Sequence, residues 1–436
     1  MPSGFSSHYF FGYSISNTGV YNSLFIMHKI GEIIMHTSDI YHTQGIKGFQ
    51  VKSTKFSSVV TVRLNRSFNN PQECSVCQTT DVRVREVGLR QITGLPCGSK
   101  KVCFEVSVFR LDCNKCGSHC REAIPFISKW ARQTKAVERA VIDLRREMSI
   151  KGTADFFGLD WRTVKEIEKR HLKTKFQRIR LRDVRIIGID EIYVGKKKYK
   201  TIVRDLISGA VLFVGRGKGG KALAKFERRL RASKCNIQVV AMDMSSGYSA
   251  WVKQALPKAE IVFDHFHVIK LMNKKLNSLR SATMNKLDEE TRSQLKNKKN
   301  LLLRNEEGLS DTDHSQLEQI KDTFDDLSTT HAMKEKLRSI YRTAKLKEDA
   351  RILFEEWIKA AETSEIAVLK TMAKTIGSRL EGILAYWKFN QLTNAGMEGF
   401  NNKIRWLIRQ AYGFHDQEYF DLKIYDLPTC KQIKEI

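Results

Sequence analysis

The 436-residue chain lacks any apolar run of the ~18–20 residues that a membrane span requires. Its most apolar N-terminal stretch, GVYNSLFIMHKIGEIIM, is broken by Asn22, His28, Lys29 and Glu32. That stretch also lacks the small-residue cleavage site of a secretory leader. These absences point to a cytoplasmic protein. No internal repeat recurs at a solenoid period, which excludes a stacked-repeat architecture. Acidic residues are scarce too: 48 Asp and Glu face 75 Lys and Arg, leaving a formal charge of +27. On a folded chain that imbalance calls for a polyanionic partner, nucleic acid first. A lysine-rich proteome would give the same charge, so the other signals must decide.

The length exceeds one ordinary core and predicts about two to four domains. Residues 1–44 are rich in Ser, Tyr, His and Gly without periodicity. They are expected to be a poorly ordered or spurious extension, with Met27 and Met35 as alternative starts. From Gly45, GFQVKS and SSVVTVRLN read as two short strands.

Seven of the nine cysteines fall between Cys74 and Cys120. In a reducing compartment such a cluster suggests metal rather than disulfides. Cys74 and Cys77 form one C-x-x-C knuckle, and Cys113 and Cys116 form another, with 35 residues between. Two such knuckles complete a four-thiolate zinc site with no open position, so the metal would be structural. Within the gap, Val102, Phe104, Val106 and Val108 alternate as in a zinc-ribbon strand. No βαβ pattern surrounds either knuckle, which speaks against a redox pair. Cys103 reads as a small packed residue.

Residues 129–172 read as helical. SIKGTADFFGLDWRTVKEIEKRHL gives a helix, a Gly-Leu-Asp break and a second helix bearing Arg162, Lys165, Lys169 and Arg170. That outline predicts a DNA-binding helix-turn-helix; a plain helical linker is the alternative. RIIGID, YKTIVRDL and AVLFVG then read as strands, followed by a helix, strand IQVVAMD, a helix and strand EIVFD. The order is β-β-β-α-β-α-β, an α/β pattern. Beyond Lys270 the chain is almost wholly helical to about residue 390.

Asp190 closes the first of these strands and Asp243 the fourth. Neighbouring strand ends would set the two carboxylates side by side, where they repel unless a cation sits between them. Hard oxygen ligands suit Mg²⁺ or Mn²⁺. With a third acid the site could hold two ions for phosphoryl transfer. NAGMEGFNNKIRWLIRQAYG supplies one. At ~100° per residue, Glu398, Asn402, Arg405 and Arg409 share a polar stripe opposite Met397, Phe400, Ile404, Leu407 and Ala411. An amphipathic surface helix is the plainer alternative. Glu191 points to the other face of its strand, and Asp205 beside Arg204 suggests a salt bridge. Asp264 and His267 form a possible secondary site, although a core histidine is the commoner case. GRGKGGKA nearly matches a phosphate-binding loop, but Ala222 stands where the metal-binding hydroxyl belongs.

In combination, GIDEIYVGKKKYKTIVRD, VVAMDMSSGYSAWVKQALPKAEIVFDHFHVIKLMN and NAGMEGFNNKIRWLIRQAYGFHD resemble the transposases of the bacterial ISL-three insertion-sequence family. The resemblance runs from about Gly45 to about Tyr425; residues 1–44 have no counterpart in it. It implies an α/β ribonuclease-H-like core over 181–270 and 391–436, interrupted by a helical insertion over 271–390. A zinc ribbon over 45–125 and a helix-turn-helix over 126–180 would precede it. Asp190, Asp243 and Glu398 match the family's catalytic acids, and Asp264 and His267 a further family motif of less settled role. The resemblance implies cutting of element ends and joining to target DNA with two Mg²⁺ (or Mn²⁺) ions, by a homodimer or larger assembly. Arg162, Lys165, Lys169, Arg405 and Arg409 are the expected DNA contacts. A zinc-containing regulator without catalysis and a structure-selective nuclease stay open as alternatives. Cleavage and strand-transfer assays separate them.

Overall fold

In the computed structural model, residues 37–428 are described. The chain divides between Glu168 and Lys169 into two compact units.

The first unit begins with α1 (Thr37–Gln44) and a five-stranded sheet: β1 (Phe49–Phe56), β2 (Val59–Arg66), β3 (Val82–Cys97), β4 (Lys100–Cys113) and β5 (His119–Arg121). Strands run in the order β1-β2-β4-β3, with β5 also on β4. The expected alternation holds: Val102, Phe104 and Val106 of β4 are buried with Val60, Val62, Leu64 and Ile92. The extension expected to be poorly ordered over 1–44 is helical at its end, which corrects that reading for residues 37–44. Ile40 enters this core, and Gln44 exchanges two hydrogen bonds with the Leu95 backbone, at 2.8 and 3.1 Å. The expectation for residues 1–36 lies outside the described residues.

Helices α2 (Lys135–Leu144), α3 (Ile150–Phe157) and α4 (Trp161–Lys175) follow. Their N-termini are set by short polar side chains, which satisfy otherwise orphaned amides. Thr134 accepts from Val137 N–H, Ser149 from Gly152 N–H and Asp160 from Arg162 N–H. The break between α3 and α4 is the predicted Gly-Leu-Asp, with Gly158 at φ +67°, the left-handed turn that glycine adopts without strain. Val137, Val141, Ala154, Phe157, Val164 and Ile167 form the three-helix core.

The second unit carries β6 (Ile186–Gly195), β7 (Lys198–Asp205), β8 (Val211–Arg216), α5 (Ala224–Ser233), β9 (Val239–Met242), α6 (Ser246–Ala255) and β10 (Glu260–Phe263). This is the β-β-β-α-β-α-β order read from the sequence. The sheet order is β10-β9-β6-β7-β8. β6, β7 and β8 are antiparallel neighbours, while β9 and β10 run parallel to β6. The fold class is thus mixed α/β.

Eight helices follow β10: α7 (His265–Met284), α8 (Glu289–Leu295), α9 (Lys299–Leu303), α10 (Asp311–Thr323), α11 (Asp325–Thr343), α12 (Lys347–Thr363), α13 (Ala367–Gly377) and α14 (Leu380–Lys388). Buried Trp357 and Trp387 each donate their indole N–H to a backbone carbonyl, Met333 O at 2.8 Å and Ala344 O at 2.9 Å. The buried ammonium of Lys334 donates to Leu302 O and Arg304 O, carbonyls at the C-terminal end of α9 that the helix leaves unpaired. The last helices are α15 (Ala395–Gln410) and α16 (Gln417–Asp426). Met397, Phe400 and Ile404 of α15 are buried against Ile192, Ile202, Val211 and Val214 of the sheet. Each such burial contributes about 1.5–3 kcal/mol, enough to fix the helix on β6–β8.

Candidate active site and metal centre

β6 and β9 pair in parallel up to Ile189↔Met242, so Asp190 and Asp243 stand one residue further on; Asp243 ends β9, but β6 runs on to Gly195 along β7, which corrects the expectation that Asp190 closes its strand. Burial first, and then the Asp243 carboxylate, raise the Asp190 carboxyl above its ordinary value. The Glu191 N–H, donated to Asp190 Oδ1 at 2.8 Å, and the His267 and Asn401 side chains pull the other way. Asp190 and Asp243 therefore share one field, and a cation between them would relieve both burial and repulsion.

α15 meets β6 here because Gly188 lets it. A Cβ at Gly188 would stand 2.7 Å from Asn394 Oδ1 and 2.7 Å from a Leu206 methyl. The close approach brings Asn394 Nδ2 to Ile189 O at 3.4 Å and Asn401 Nδ2 to Asp190 Oδ2 at 2.6 Å. Asn401 was not singled out from the sequence; its signal was the Asn-Asn doublet one helical turn after Glu398. Its Oδ1 is buried without a protein partner, as is Asn394 Oδ1. Polar oxygens left over beside two acids fit the donor chemistry of a hard cation.

Glu398 lies on the exposed face of α15, on the predicted stripe with Asn402, Arg405 and Arg409, all exposed. Arg405 Nη1 donates to Asn402 Oδ1 at 2.6 Å. The structure brings Asp190 and Asp243 together but does not gather Glu398 with them. Among the described residues, the only group of three or more ligand-type side chains within 4.8 Å of one another is the cysteine cluster.

Asp264 and His267, at the start of α7, belong to the same surroundings. His267 Nδ1 lies 3.2 Å from Asp264 Oδ2. Burial works against the His267 cation, but Asp264, then Asp190 and Asp243, raise its pKa overall. Burial would lift the Asp264 carboxyl; the His265 and His267 rings instead hold it well below the usual carboxylate range. Glu191 meets Asp243 from its own side. Burial and Asp243 raise it, while Lys218 and a hydrogen bond from Tyr248 oppose them. Asp205, expected in a salt bridge, instead caps a turn, accepting the N–H groups of Ile207 and Ser208 at 3.2 and 3.1 Å.

The two cysteine knuckles meet at the end of the β3–β4 hairpin, and the long gap between them is that hairpin. Cys74 Sγ lies 3.7 Å from Cys116 Sγ, and Cys77 Sγ 3.5 Å from Cys113 Sγ. A tetrahedral ion with Zn–S bonds of ~2.3 Å needs sulfurs about 3.8 Å apart. The Ser118 hydroxyl and the backbone N–H groups of Cys77 and Val76 push the Cys74 thiol down to about 5. Cys77 is held up at about 12; the Thr79 backbone lowers it, but burial and the other three cysteines outweigh that. Four thiols at one point cannot all ionise without a cation, so the donor set fits a structural zinc ion.

On α4, Arg162 is exposed with its guanidinium 5.2 Å from the Trp161 ring centroid. Lys165 is half-buried. Lys169 Nζ pairs with Asp416 at 2.8 Å and Glu418 at 2.9 Å. No helix among the described residues is long and apolar enough to cross a membrane.

Comparison with known proteins bears on the whole arrangement. A family profile described as "Transposase", of the ISL3 group, matches residues 187–424, a span that holds all three acids. One described as "Helix-turn-helix domain of transposase family ISL3" matches residues 122–172. The transposase of insertion sequence element IS1001 from Bordetella parapertussis is 32% identical over 80% of this chain and 87% of its own length. That of IS1557 from Mycobacterium tuberculosis is 27% identical over 77% and 80%. The Drosophila P element transposase strand transfer complex reaches a TM-score of 0.39 at 11% identity, over 68% of this chain and 92% of that one, too low to carry weight. The Asp190–Asp243 pair, a helix-turn-helix and a matched span of more than half the chain converge: this protein belongs to the ISL3 family of insertion-sequence transposases.

Proposed function

We propose that the chain binds the terminal repeats of its own insertion sequence and catalyses cleavage and strand transfer there, with Asp190, Asp243 and Glu398 as the catalytic acids. The observation that carries this reading is the pair Asp190–Asp243, each one residue beyond the last paired residues of parallel β6 and β9, met by the helix that bears Glu398. The sheet of β6–β10 with α15 is then a ribonuclease-H-like core, and α7–α14 an insertion in it. Residues 45–125 would be the zinc-bearing domain, 126–180 the helix-turn-helix, 181–270 and 391–436 the core, and 271–390 the insertion.

Two Mg²⁺ (or Mn²⁺) ions held by the acids would supply the charge that activates an attacking oxygen and stabilises the leaving one. Asp190 is held for this by Asn401 and the Glu191 N–H, and His267 balances the excess negative charge. Glu398 would complete the set from α15, one helical turn before Asn401. Arg405 and Arg409 follow the acid along the exposed stripe, where guanidiniums would hold phosphates in line. Phosphodiester exchange by in-line displacement needs no covalent protein intermediate. Cys74, Cys77, Cys113 and Cys116 would hold one Zn²⁺. Arg162, Lys165 and Lys169 on α4 would face DNA, Lys169 after exchanging its carboxylate partners for phosphate. Two ends must be joined in one event, so a homodimer or larger assembly on DNA in the bacterial cytoplasm is expected.

The test uses the full chain, Mg²⁺ and duplex DNA that carries the flanking inverted repeat. Wild type should nick at the repeat and join the freed 3′ end to a second duplex; Asp243→Asn and Glu398→Gln should bind the repeat but lose cutting by ~10³-fold or more. Undiminished cutting by either variant would refute the assignment. Binding by wild type without cutting would indicate a regulator, and cutting without joining a nuclease.

A further inference from the structure

Beyond the knuckles, the β3–β4 hairpin carries an arrangement that neither the acid site nor the helix-turn-helix uses. Arg85 of β3 is the cross-strand partner of Arg110 of β4, and Arg110 is the partner of Arg121 of β5. Three arginines thus stand in a row across three adjacent strands, on one face, over about 10 Å. Like charges directly opposite one another destabilise a sheet. Carboxylates relieve the row only weakly, at its Arg85 end. Among the described residues, no acid pairs with Arg110 or Arg121, and Asp112 reaches Arg85 at only 3.9 Å because His119 holds it at 2.6 Å. Glu122 is taken by Arg66 and the Phe109 N–H.

The row lines a cavity of about 940 Å³ that Lys129 and Trp130 also line. This loop is a tight turn closed by Ala131 N–H to Ser128 O at 2.9 Å. Trp130 is its third residue, with φ +68°, a place that favours glycine. A bulky side chain in the left-handed region is strained and marks a position kept for another purpose. The indole is 66% exposed, with the Arg121 guanidinium 5.3 Å from its centroid as a cation–π partner. Arg90 pins the loop by donating to Ala131 O. Burial and the guanidiniums of Arg132 and Arg121 hold Arg90 below its ordinary value.

A weakly relieved row of guanidiniums beside an exposed, strained aromatic ring is the recognition chemistry of a nucleic acid strand with an unstacked base. We infer that this cavity binds a single DNA strand, phosphates on the Arg85–Arg110–Arg121 row and one base stacked on Trp130. The inference rests on the reading of the chain as a DNA-handling transposase, but not on its acid site. It adds a single-strand contact on the zinc-bearing sheet to the duplex contact expected of the helix-turn-helix.

The test uses the full zinc-loaded chain with two fluorescent probes: a 15-nucleotide oligothymidine and a duplex carrying the terminal repeat. Trp130→Gly should weaken oligothymidine binding roughly five- to 150-fold with the salt slope unchanged. It should melt at or above wild type, because glycine adopts this turn without strain, so loss of binding cannot be ascribed to unfolding. Arg110→Gln with Arg121→Gln should lower the slope of log K against log salt by about 1.4. All variants should bind the duplex within about twofold of wild type, since α4 carries that contact. Oligothymidine affinity unchanged by Trp130→Gly overturns the proposal, as does equal loss of both probes, which would make the groove part of the duplex-reading surface. Unchanged affinity with altered self-association would assign the face to a second copy of the chain instead. A wild type that binds oligothymidine yet never cuts end-bearing duplex would refute the proposed function and leave this site standing.

Discussion

Replacing Asp190 by asparagine should make the metal-free protein more stable while abolishing its chemistry. Adjacent strands lie about 4.8 Å apart, which sets the two carboxylates at roughly 5 Å. Two like charges at that separation repel by about 3 kcal/mol at an effective dielectric of ~20. His267 offsets part of this, since it faces both acids. The asparagine oxygen can still accept the Glu191 N–H. Its new amide group can meet Asn401 Oδ1, now buried without a partner, if the Asn401 amide turns over. A net gain of about 1–2 kcal/mol remains, within the usual range for removing an unfavourable charge. For a unit of this size that is a melting-temperature rise of roughly 2–8 °C. Thermal melts in EDTA at pH 7.5 measure it. Added Mg²⁺ should stabilise wild type and leave Asp190→Asn nearly unmoved, so the gap closes or reverses. A variant that melts below wild type in EDTA would refute the claim that Asp190 is held against its own electrostatics. A variant that still cuts would remove it from the active site.

Three further outcomes follow from the same packing. Gly188→Ala places a methyl 2.7 Å from Asn394 Oδ1 and Leu206 Cδ2 and must displace α15. It should cost about 1–3 kcal/mol in urea melts and lower cleavage ~10-fold or more; unchanged values for both would mean the helix does not need the close approach. His331 is buried beside Lys334, with Nε2 3.2 Å from Nζ, and burial and that ammonium push it down to about 4. A histidine depressed in the fold leaves the unfolded chain binding more protons, so stability is full above ~6.5 and is lost as pH falls towards 4. That loss, up to about 3 kcal/mol, should shrink in His331→Leu when urea melts at pH 7 and pH 4.5 are compared. An acid loss equal in both proteins would place the titration elsewhere. Cys113→Ser should lower zinc from about one ion per chain to none by metal analysis, and should loosen the β3–β4 hairpin end; no zinc in wild type would remove the metal from this centre.

The sequence by itself determined many of the elements, because hydrophobic period, caps and glycine breaks act over a few residues; β3 (Val82–Cys97), α1 and the run of β6 beyond Asp190 were not legible that way. The β-β-β-α-β-α-β order, the Gly-Leu-Asp break and the stripe of Met397, Phe400 and Ile404 could all be read without a fold. So could the two cysteine knuckles, whose spacing is local to each pair. What no local pattern contains is which residues from distant segments share one field. Only the tertiary structure set His267 and Asn401 against Asp190, turned Glu191 towards Asp243, and made Gly188 the condition for the approach of α15. It also decided that the alternating strand Lys100–Cys113 belongs to a five-stranded sheet and that Arg85, Arg110 and Arg121 form one row. Strand register and helix docking decide such neighbours. Both depend on side-chain packing summed over the whole core, while a sequence pattern reports only the face to which each residue belongs.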